Sequence, residues 1–164
     1  LRSMIVLENE LETVALAAAF ANNAKSGDII GLSGSLGAGK SSFARAFINA
    51  RCEVDDVPSP TFTLLQIYEE NSINNNTKGS IWHLDLYRIN DVSEVYELGL
   101  PEAIGHDLLI IEWPERLPSD FLGDWLNLRL DFSKNPDARI ATLNDYGPRS
   151  KILRDILISQ ISTV

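Results

Sequence analysis

The sequence predicts a single three-layer α/β domain with a mixed, mainly parallel sheet. A short apolar segment, 28–34, runs into a glycine-rich turn and then into a helical pattern. An unbroken apolar run, 108–111, is typical of a strand buried on both faces of a parallel sheet. Segments 124–132 and 138–145 alternate like strands with one buried face. At 164 residues, we expect one domain that spans 1–164 and buries a sizeable core.

The composition limits the partners. Fourteen basic and 23 acidic side chains give a net charge of −9, which is unfavourable for binding DNA, RNA or an anionic membrane directly. We therefore expect a partner protein to hold any RNA of the pathway. Cys52 is the single cysteine, which excludes an internal disulfide and a cysteine zinc site. No apolar run has the length of a membrane span and no signal peptide is visible, so we expect a cytoplasmic protein. We interpret residues 1–3, ahead of Met4, as a remnant of the expression vector.

The first half of the chain predicts a helix, a strand and a second helix. The first helix has Asn9 as its N-cap and Gly27 as its stop. Its apolar residues at helical spacing are Leu11, Val14, Ala15 and Ala18. The strand is 28–34. The second helix covers 41–50 and places Phe43, Ala46, Phe47 and Ala50 on one face, with Arg45 and Asn49 on another.

The second half predicts a hairpin, a short helix, three strands and a closing helix. Strands 62–68 and 80–88, joined by the polar link 71–79, form the hairpin, which we expect to have a mobile tip. Segment 91–105 contains the short helix. The closing helix, 151–161, is amphipathic.

The turn after the first strand matches a phosphate-binding loop. Gly34 is followed by four residues and then by Gly39, Lys40 and Ser41, which is the spacing of the P-loop pattern. Glycines allow successive N–H groups to point inward and, with the start of the following helix, to hold an anion. Lys40 would reach the β- and γ-phosphates, and the Ser41 hydroxyl would bind Mg²⁺. The strand–loop–helix order therefore predicts a P-loop NTPase-like fold.

Two acidic residues are candidates for the magnesium shell and for catalysis. Glu112 ends the buried run 108–111, where a carboxylate needs a cationic partner such as Mg²⁺. Asp85 shares one strand face with His83 and Tyr87. It would orient the attacking water or complete the metal shell, and an exposed sheet face is the alternative interpretation.

Other polar residues are less informative from spacing alone. Thr61 and Thr63 lie in a proline-punctuated segment, where we interpret them as turn hydroxyls, with a nucleotide-sensing loop as the alternative. Two histidines are too few for a metal set. Arg88 and Arg116 are interpreted as surface residues, with phosphate contact as the alternative.

Four blocks together resemble one family. They are GSLGAGKSSF, SPTFTL, HLDLYR and EWPERL, and their order and spacing resemble TsaE (also called YjeE), the bacterial P-loop ATPases of tRNA threonylcarbamoyladenosine synthesis. The likeness covers roughly residues 9 to 145. It implies a small mixed-sheet ATPase that uses ATP and Mg²⁺, is slow alone, and acts with TsaB- and TsaD-like partner proteins, which hold the tRNA.

The resemblance also implies roles for individual residues. Lys40 and Ser41 would contact phosphate and magnesium, Glu112 would bind magnesium, and Asp85 would be needed for hydrolysis. Trp113 would be functionally important, Thr61 would lie in a segment that responds to the nucleotide, and the helix start around 9–13 would border the adenine. The implied nucleotide-binding residues are Thr13, Gly34, Ser35, Leu36, Gly37, Ala38, Gly39, Lys40, Ser41 and Ser42. Ser35 stands where the family usually has Asp, and segment 93–105 matches the family poorly.

Two other functions share the same loop. A small-molecule P-loop kinase would need an acceptor pocket and an arginine-bearing lid, and no segment resembles one. A GTP-dependent switch would carry Asn-Lys-x-Asp, but the nearest string, KNPD at 134–137, lacks that order. The step that hydrolysis drives, the oligomeric state and the partner surface stay open at this point.

Overall fold

The computed structural model describes residues 3–52, 57–60, 63–70 and 79–162. Its strands are β1 (Met4–Leu7), β2 (Ile29–Ser33), β3 (Leu65–Glu69), β4 (Ser80–Asp85), β5 (Leu108–Glu112), β6 (Leu126–Phe132) and β7 (Arg139–Asp145). Its helices are α1 (Glu10–Asn23), α2 (Lys40–Cys52), α3 (Ser93–Glu97), α4 (Leu100–Ala103) and α5 (Pro148–Ser162), with a 3-10 turn at Pro114–Arg116. Within those ranges no helix has the length and apolarity to span a membrane.

The seven strands form one sheet in the order β1-β7-β6-β2-β5-β4-β3. The central strands β6, β2, β5 and β4 are mutually parallel, whereas β7 pairs antiparallel with β6 and with β1, and β3 pairs antiparallel with β4. Because β1 is reversed twice relative to β6, it runs in the same direction as the central four. Only β3 and β7 oppose them, which confirms a mixed, mainly parallel sheet.

Helices cover both faces of the sheet and make three layers. On one face α1, α2 and α5 pack against apolar side chains of the central strands, and Phe20 of α1 meets Phe43 of α2 edge-on with ring centroids 5.1 Å apart. On the other face α3, α4 and the segment around Leu117 and Leu122 cover Ile29, Leu109 and Ile111. All five residues of β5 are buried, as its sequence predicts.

Helix α1 differs from its prediction in its end and in its buried face. Asn9 is the N-cap, and its side chain accepts a hydrogen bond from the backbone N–H of Glu12 at 3.0 Å. The helix ends at Asn23, however, and Gly27 lies in the turn that follows. Leu11 and Val14 are 79% and 44% exposed. The buried residues are Thr13, Leu16, Ala17, Phe20 and Ala21, because Leu16 and Phe20 fill the core while small residues beside them allow α2 to approach.

The predicted hairpin is confirmed with shorter strands. Leu65 pairs with Leu84 and Glu69 with Ser80, while most of the predicted link, 71–78, lies outside the described residues. Strand β4 ends at Asp85, so Tyr87 is not on the strand face assigned to it. Tyr87 instead follows a turn in which its N–H donates to Asp85 Oδ1 at 3.0 Å.

The sequence predicts one short helix in segment 91–105, but the structure has two, α3 and α4. Gly99 separates them in a left-handed conformation with φ of +87°. Such a backbone conformation is open to glycine at little cost and breaks the run of helical hydrogen bonds. The closing helix is confirmed as α5, which begins three residues earlier than predicted.

Candidate functional site

Asp85, Glu112 and the glycine loop meet at the carboxyl ends of three adjacent parallel strands. Leu32 near the end of β2 pairs with Glu112 at the end of β5, and Glu112 pairs in turn with Asp85 at the end of β4. In open α/β sheets, ligands bind in the crevice beyond these strand ends. The glycine loop leaves β2 at this edge, and α2 begins directly after the loop at Lys40.

The glycine loop adopts backbone conformations that favour glycine, and at Gly34 there is no space for a side chain. Gly34 has φ of +133°, and a Cβ there would overlap the carbonyl oxygen of Leu130 in β6. Gly37 and Gly39 also have positive φ values, of +80° and +112°. The loop is held from outside by Arg139, whose Nε donates to the carbonyl oxygen of Ala38 at 3.1 Å. The glycines therefore allow a tight curl against β6, as the motif predicts.

Lys40 is buried beneath this curl. Its Nζ donates to the carbonyl oxygens of Gly34 at 2.7 Å and Ser35 at 2.9 Å, and it lies 4.4 Å from the centroid of the Trp113 ring. Burial lowers the pKa of Lys40, while the nearby carboxylates, Glu112 first among them, oppose that change. The lysine ammonium is thus placed at the loop by backbone oxygens and one aromatic face.

Ser41, Glu112 and His83 form a chain of hydrogen bonds. The Ser41 hydroxyl donates to Glu112 Oε1 at 2.8 Å, and the other carboxylate oxygen, Oε2, lies 2.8 Å from His83 Nε2. Glu112 is 2% exposed and His83 is fully buried. A hydroxyl and a carboxylate are hard oxygen donors of the kind that Mg²⁺ prefers, so this pair fits the ion.

Asp85 lies beside this chain. It is buried, sits next to Glu112 in the β4–β5 register, and accepts a hydrogen bond from the N–H of Tyr87. In the part of the chain that the structure describes, no three His, Cys, Asp or Glu side chains are grouped to hold a metal alone. A magnesium ion here would therefore need further oxygen ligands from phosphate or water.

Trp113 follows Glu112 in an unusual backbone conformation. Its φ is +62°, one of two positive values among the described non-glycine residues. The Trp113 N–H donates to the carbonyl oxygen of Leu32, and the ring packs on Tyr87 with centroids 5.0 Å apart. A left-handed tryptophan stores backbone strain of the kind found at functional sites. The strain is consistent with the importance that the resemblance implies for Trp113.

These groups border a cleft of about 600 Å³. It is lined by Leu36, Gly37, Gly39, Lys40, Ser41, Ser42, Arg45, Asp85, Tyr87, Arg88, Glu112 and Trp113. A groove of similar volume, about 590 Å³, lies between β1, α1 and α5, but its lining is mostly apolar and contains no basic side chain. Of these two pockets, the charged cleft at the glycine loop is better suited to an anionic ligand.

Sequence reasoning did not assign Arg45 to this site and did not detect the contact of His83 with Glu112. Arg45 and Arg88 both line the cleft. Arg88 is exposed, as the surface interpretation predicts, and its place in the cleft lining agrees with the alternative of phosphate contact. Arg45 is one helical turn after Ser41, and its Nε donates to the Ser41 carbonyl oxygen at 3.4 Å, so that spacing was an available signal. The contact of His83 with Glu112 depends on the pairing of β4 with β5, which spacing along the chain does not reveal.

Four predicted site residues that the structure describes are absent from the cleft lining. Gly34, Ser35 and Ala38 belong to the glycine loop, where the carbonyl oxygens of Gly34 and Ser35 accept hydrogen bonds from Lys40. Thr13 is buried in α1 and is absent from the cleft lining. Thr61 lies outside the described residues. Its neighbour Thr63 accepts a hydrogen bond from Gln66 Nε2 at 3.2 Å, in keeping with a turn hydroxyl. Arg116 lies outside the lining, with its guanidinium 5.9 Å from the centroid of the Tyr87 ring.

The fold and the loop geometry define a P-loop nucleotide-binding protein of the α/β class. The family model described as "Threonylcarbamoyl adenosine biosynthesis protein TsaE" matches residues 7–140. The chain therefore belongs to the TsaE family, whose role is in tRNA threonylcarbamoyladenosine biosynthesis.

Individual relatives agree with this assignment. A tRNA threonylcarbamoyladenosine biosynthesis protein TsaE of Rickettsia felis is 44% identical over 113 residues, which is 68% of this chain and 63% of that protein. The Bacillus subtilis protein of the same name is 37% identical over 119 residues, 70% of each chain. The crystal structure of Bacillus subtilis YdiB superposes with a TM-score of 0.70 at 26% identity, and covers 96% of this chain and 94% of that one. The match to the Rickettsia felis protein thus spans less than two thirds of its length.

Proposed function

We propose that the chain is an Mg²⁺-dependent ATPase that couples ATP binding and hydrolysis to the cytoplasmic protein assembly making threonylcarbamoyladenosine beside the anticodon of tRNA. TsaB- and TsaD-like proteins are its partners in this proposal. The observation that carries it is the contact of Ser41 with Glu112 beside the buried Lys40, at the mouth of the glycine loop. Family membership supplies the pathway.

In this proposal the loop binds the phosphates. Backbone N–H groups of 34–39 and the first turn of α2 attract the anion, and Lys40 exchanges its two carbonyl partners for phosphate oxygens. Arg45 and Arg88 add positive charge along the cleft wall. The arrangement favours a polyphosphate over a singly charged anion.

Magnesium would be held by Ser41 and Glu112, and it would neutralise charge on the transferring phosphate when bound. The Ser41 oxygen can use a lone pair for the ion while its hydrogen still donates to Glu112. Asp85, buried beside Glu112, would orient the attacking water. With a net charge of −9, the protein would leave contact with tRNA to its partners.

A small-molecule kinase is the second candidate on this fold. ATP turnover by the isolated chain, with and without the partner proteins, separates the two functions. We expect slow release of inorganic phosphate that changes when the complex forms. Rapid transfer of phosphate to a small metabolite would contradict the ATPase proposal.

Substitutions test the assignment of the site. We expect Lys40→Ala to weaken ATP binding by about 10- to 100-fold, since it removes charge-assisted hydrogen bonds to phosphate. Glu112→Gln should leave metal-free ATP binding nearly unchanged and raise the Mg²⁺ concentration for half-maximal turnover about tenfold. Isothermal calorimetry and a phosphate-release assay measure these effects. The matched control is Lys25→Ala, at an exposed lysine outside the cleft. Equal ATP affinity in the Lys40 and Lys25 variants would show that the loop is not the phosphate site.

A further inference from the structure

His83 is the least expected polar group of the site. It lies in the middle of β4, is fully buried, and shares a strand face with Asp85. Its Nε2 contacts Glu112 Oε2 at 2.8 Å. Its other ring nitrogen, Nδ1, is buried and has no hydrogen-bond partner in the described part of the chain.

Packing alone does not explain a histidine at this position. The neighbouring positions Ile81 and Leu84 are apolar and fully buried. A buried ring nitrogen without a partner costs free energy that an aliphatic side chain would avoid. Among the residues that the structure describes, the polar contact that offsets this cost is the one with Glu112. The imidazole is therefore best understood through what it does to that carboxylate.

The two oxygens of Glu112 have separate partners. Oε1 accepts from the Ser41 hydroxyl and Oε2 contacts His83. Because a carboxylate only accepts, the hydrogen of this contact belongs to Nε2 of the imidazole. A donor fixed on the central sheet then prevents the carboxylate from rotating about its last bond, and Oε1 stays directed to Ser41.

We propose that His83 is a positioning residue for Glu112, holding one carboxylate oxygen so that the other faces Ser41 and the magnesium ion. The inference rests on the proposed function, because it concerns how the same site holds its ion. Hydrogen bonds from neighbouring groups to a metal-binding carboxylate commonly change metal affinity by about 10- to 100-fold.

Two substitutions at His83 separate positioning from packing. His83→Leu keeps an apolar side chain of similar bulk and removes the donor. His83→Gln retains an N–H donor that reaches to about the place of Nε2. The matched control is His106→Leu, because the sequence has two histidines and His106 is exposed and absent from the cleft lining.

Calorimetric titrations with ATP, once with EDTA and once with excess Mg²⁺, give the readout without turnover. We expect His83→Leu to lose about tenfold in affinity for ATP with Mg²⁺ while its metal-free affinity stays within about twofold of wild type. His83→Gln should recover most of the Mg²⁺ effect, and His106→Leu should match wild type. Equal Mg²⁺ dependence in His83→Leu and wild type would overturn the positioning role. So would equal losses in both His83 variants, with and without Mg²⁺, which would indicate a packing role.

A spectroscopic test is independent of nucleotide. With two histidine side chains, ¹⁵N NMR of the imidazoles distinguishes them by comparison with His83→Gln. We expect the His83 hydrogen on Nε2, in slow exchange with water. A hydrogen on Nδ1 instead would overturn the proposal.

Wild-type protein that binds no ATP, with or without Mg²⁺, would refute the proposed function and this inference with it. Normal Mg²⁺-dependent binding with an insensitive His83 would refute the inference alone.

Discussion

Gly34 and Gly37 allow a direct test of how the phosphate loop is built. Both have positive φ, but their surroundings differ. A Cβ at Gly34 would fall well inside the 3.0 Å that real Cβ atoms keep from other atoms, against the backbone oxygen of Leu130. A Cβ at Gly37 would find its nearest neighbour 3.9 Å away, at Phe132 Cζ. Gly37→Ala is therefore a matched control for Gly34→Ala.

The expected losses in free energy of unfolding follow from backbone strain and from steric overlap of the new Cβ atom. Gly37→Ala is destabilised only by the strain of an alanine in a left-handed conformation, which is about 1–2 kcal/mol. Gly34→Ala has comparable or larger backbone strain, about 1–3 kcal/mol. It also requires β6 to move away from the loop, and overpacking of this kind costs about 1–3 kcal/mol more. The expected loss in free energy of unfolding is about 2–6 kcal/mol for Gly34→Ala, out of the about 5–15 kcal/mol typical of a domain.

Urea unfolding followed by tryptophan fluorescence and circular dichroism measures both variants. We expect a clearly lower midpoint for Gly34→Ala than for Gly37→Ala, with similar slopes. The slope reports the surface exposed on unfolding, so a similar slope indicates that the two folded variants bury a similar area. Equal midpoints in the two variants would refute the reasoning that the loop is pressed against β6.

Two further predictions concern groups away from the cleft. Burial raises the pKa of Asp124, but hydrogen bonds from the Ser150 side chain and from the backbone N–H groups of Ser150 and Arg149, the latter two at 2.9 and 2.8 Å, hold this pKa below its ordinary 3.8. Asp124→Ala should therefore cost about 1 kcal/mol at neutral pH through loss of the α5 cap. Because the folded pKa is depressed, this contribution is full above pH 3.8 and is lost as the pH falls below it, so urea midpoints that differ equally at pH 7 and pH 2.5 would contradict the cap. Burial, then the nearby Glu70, raises the pKa of the Cys52 thiol to about 11, so we expect iodoacetamide to label native protein at least about a hundredfold more slowly than urea-unfolded protein. Rapid labelling of the folded chain, followed by mass spectrometry, would show that Cys52 is accessible.

The sequence correctly predicted those features that depend on residues close together along the chain. The run 108–111 ends in Glu112, and its burial on both faces follows from a central parallel strand. The spacing of the P-loop pattern lies within one short stretch of sequence, so it predicts the roles of Lys40 and Ser41 without knowledge of the strand order. Asn9 was identified correctly as a cap because capping depends on neighbours within one helical turn.

The predictions that were wrong or missing concern features that are set by contacts between residues far apart in the sequence. Leu11 and Val14 have helical spacing, yet the stripe anchored by Leu16 and Phe20 faces the core. Strand β1 was not predicted, because it is stabilised by pairing with β7, more than a hundred residues later. The contact between His83 and Glu112 likewise requires β4 to lie next to β5 in a particular register. Sheet order is a property of the whole chain, and hydrophobic periodicity does not encode it locally.

The carbonyl oxygens that hold Lys40 have an energetic consequence for ligand capture. A lysine recruited from solvent surrenders roughly 2 kcal/mol of rotamer freedom when it is immobilised. In this chain that entropy is already lost when the polypeptide folds. In the proposed function, an arriving anion would replace main-chain oxygens around an ammonium that is already in place. Association can thus be rapid and strong with few new contacts, because the cationic arm is preorganised.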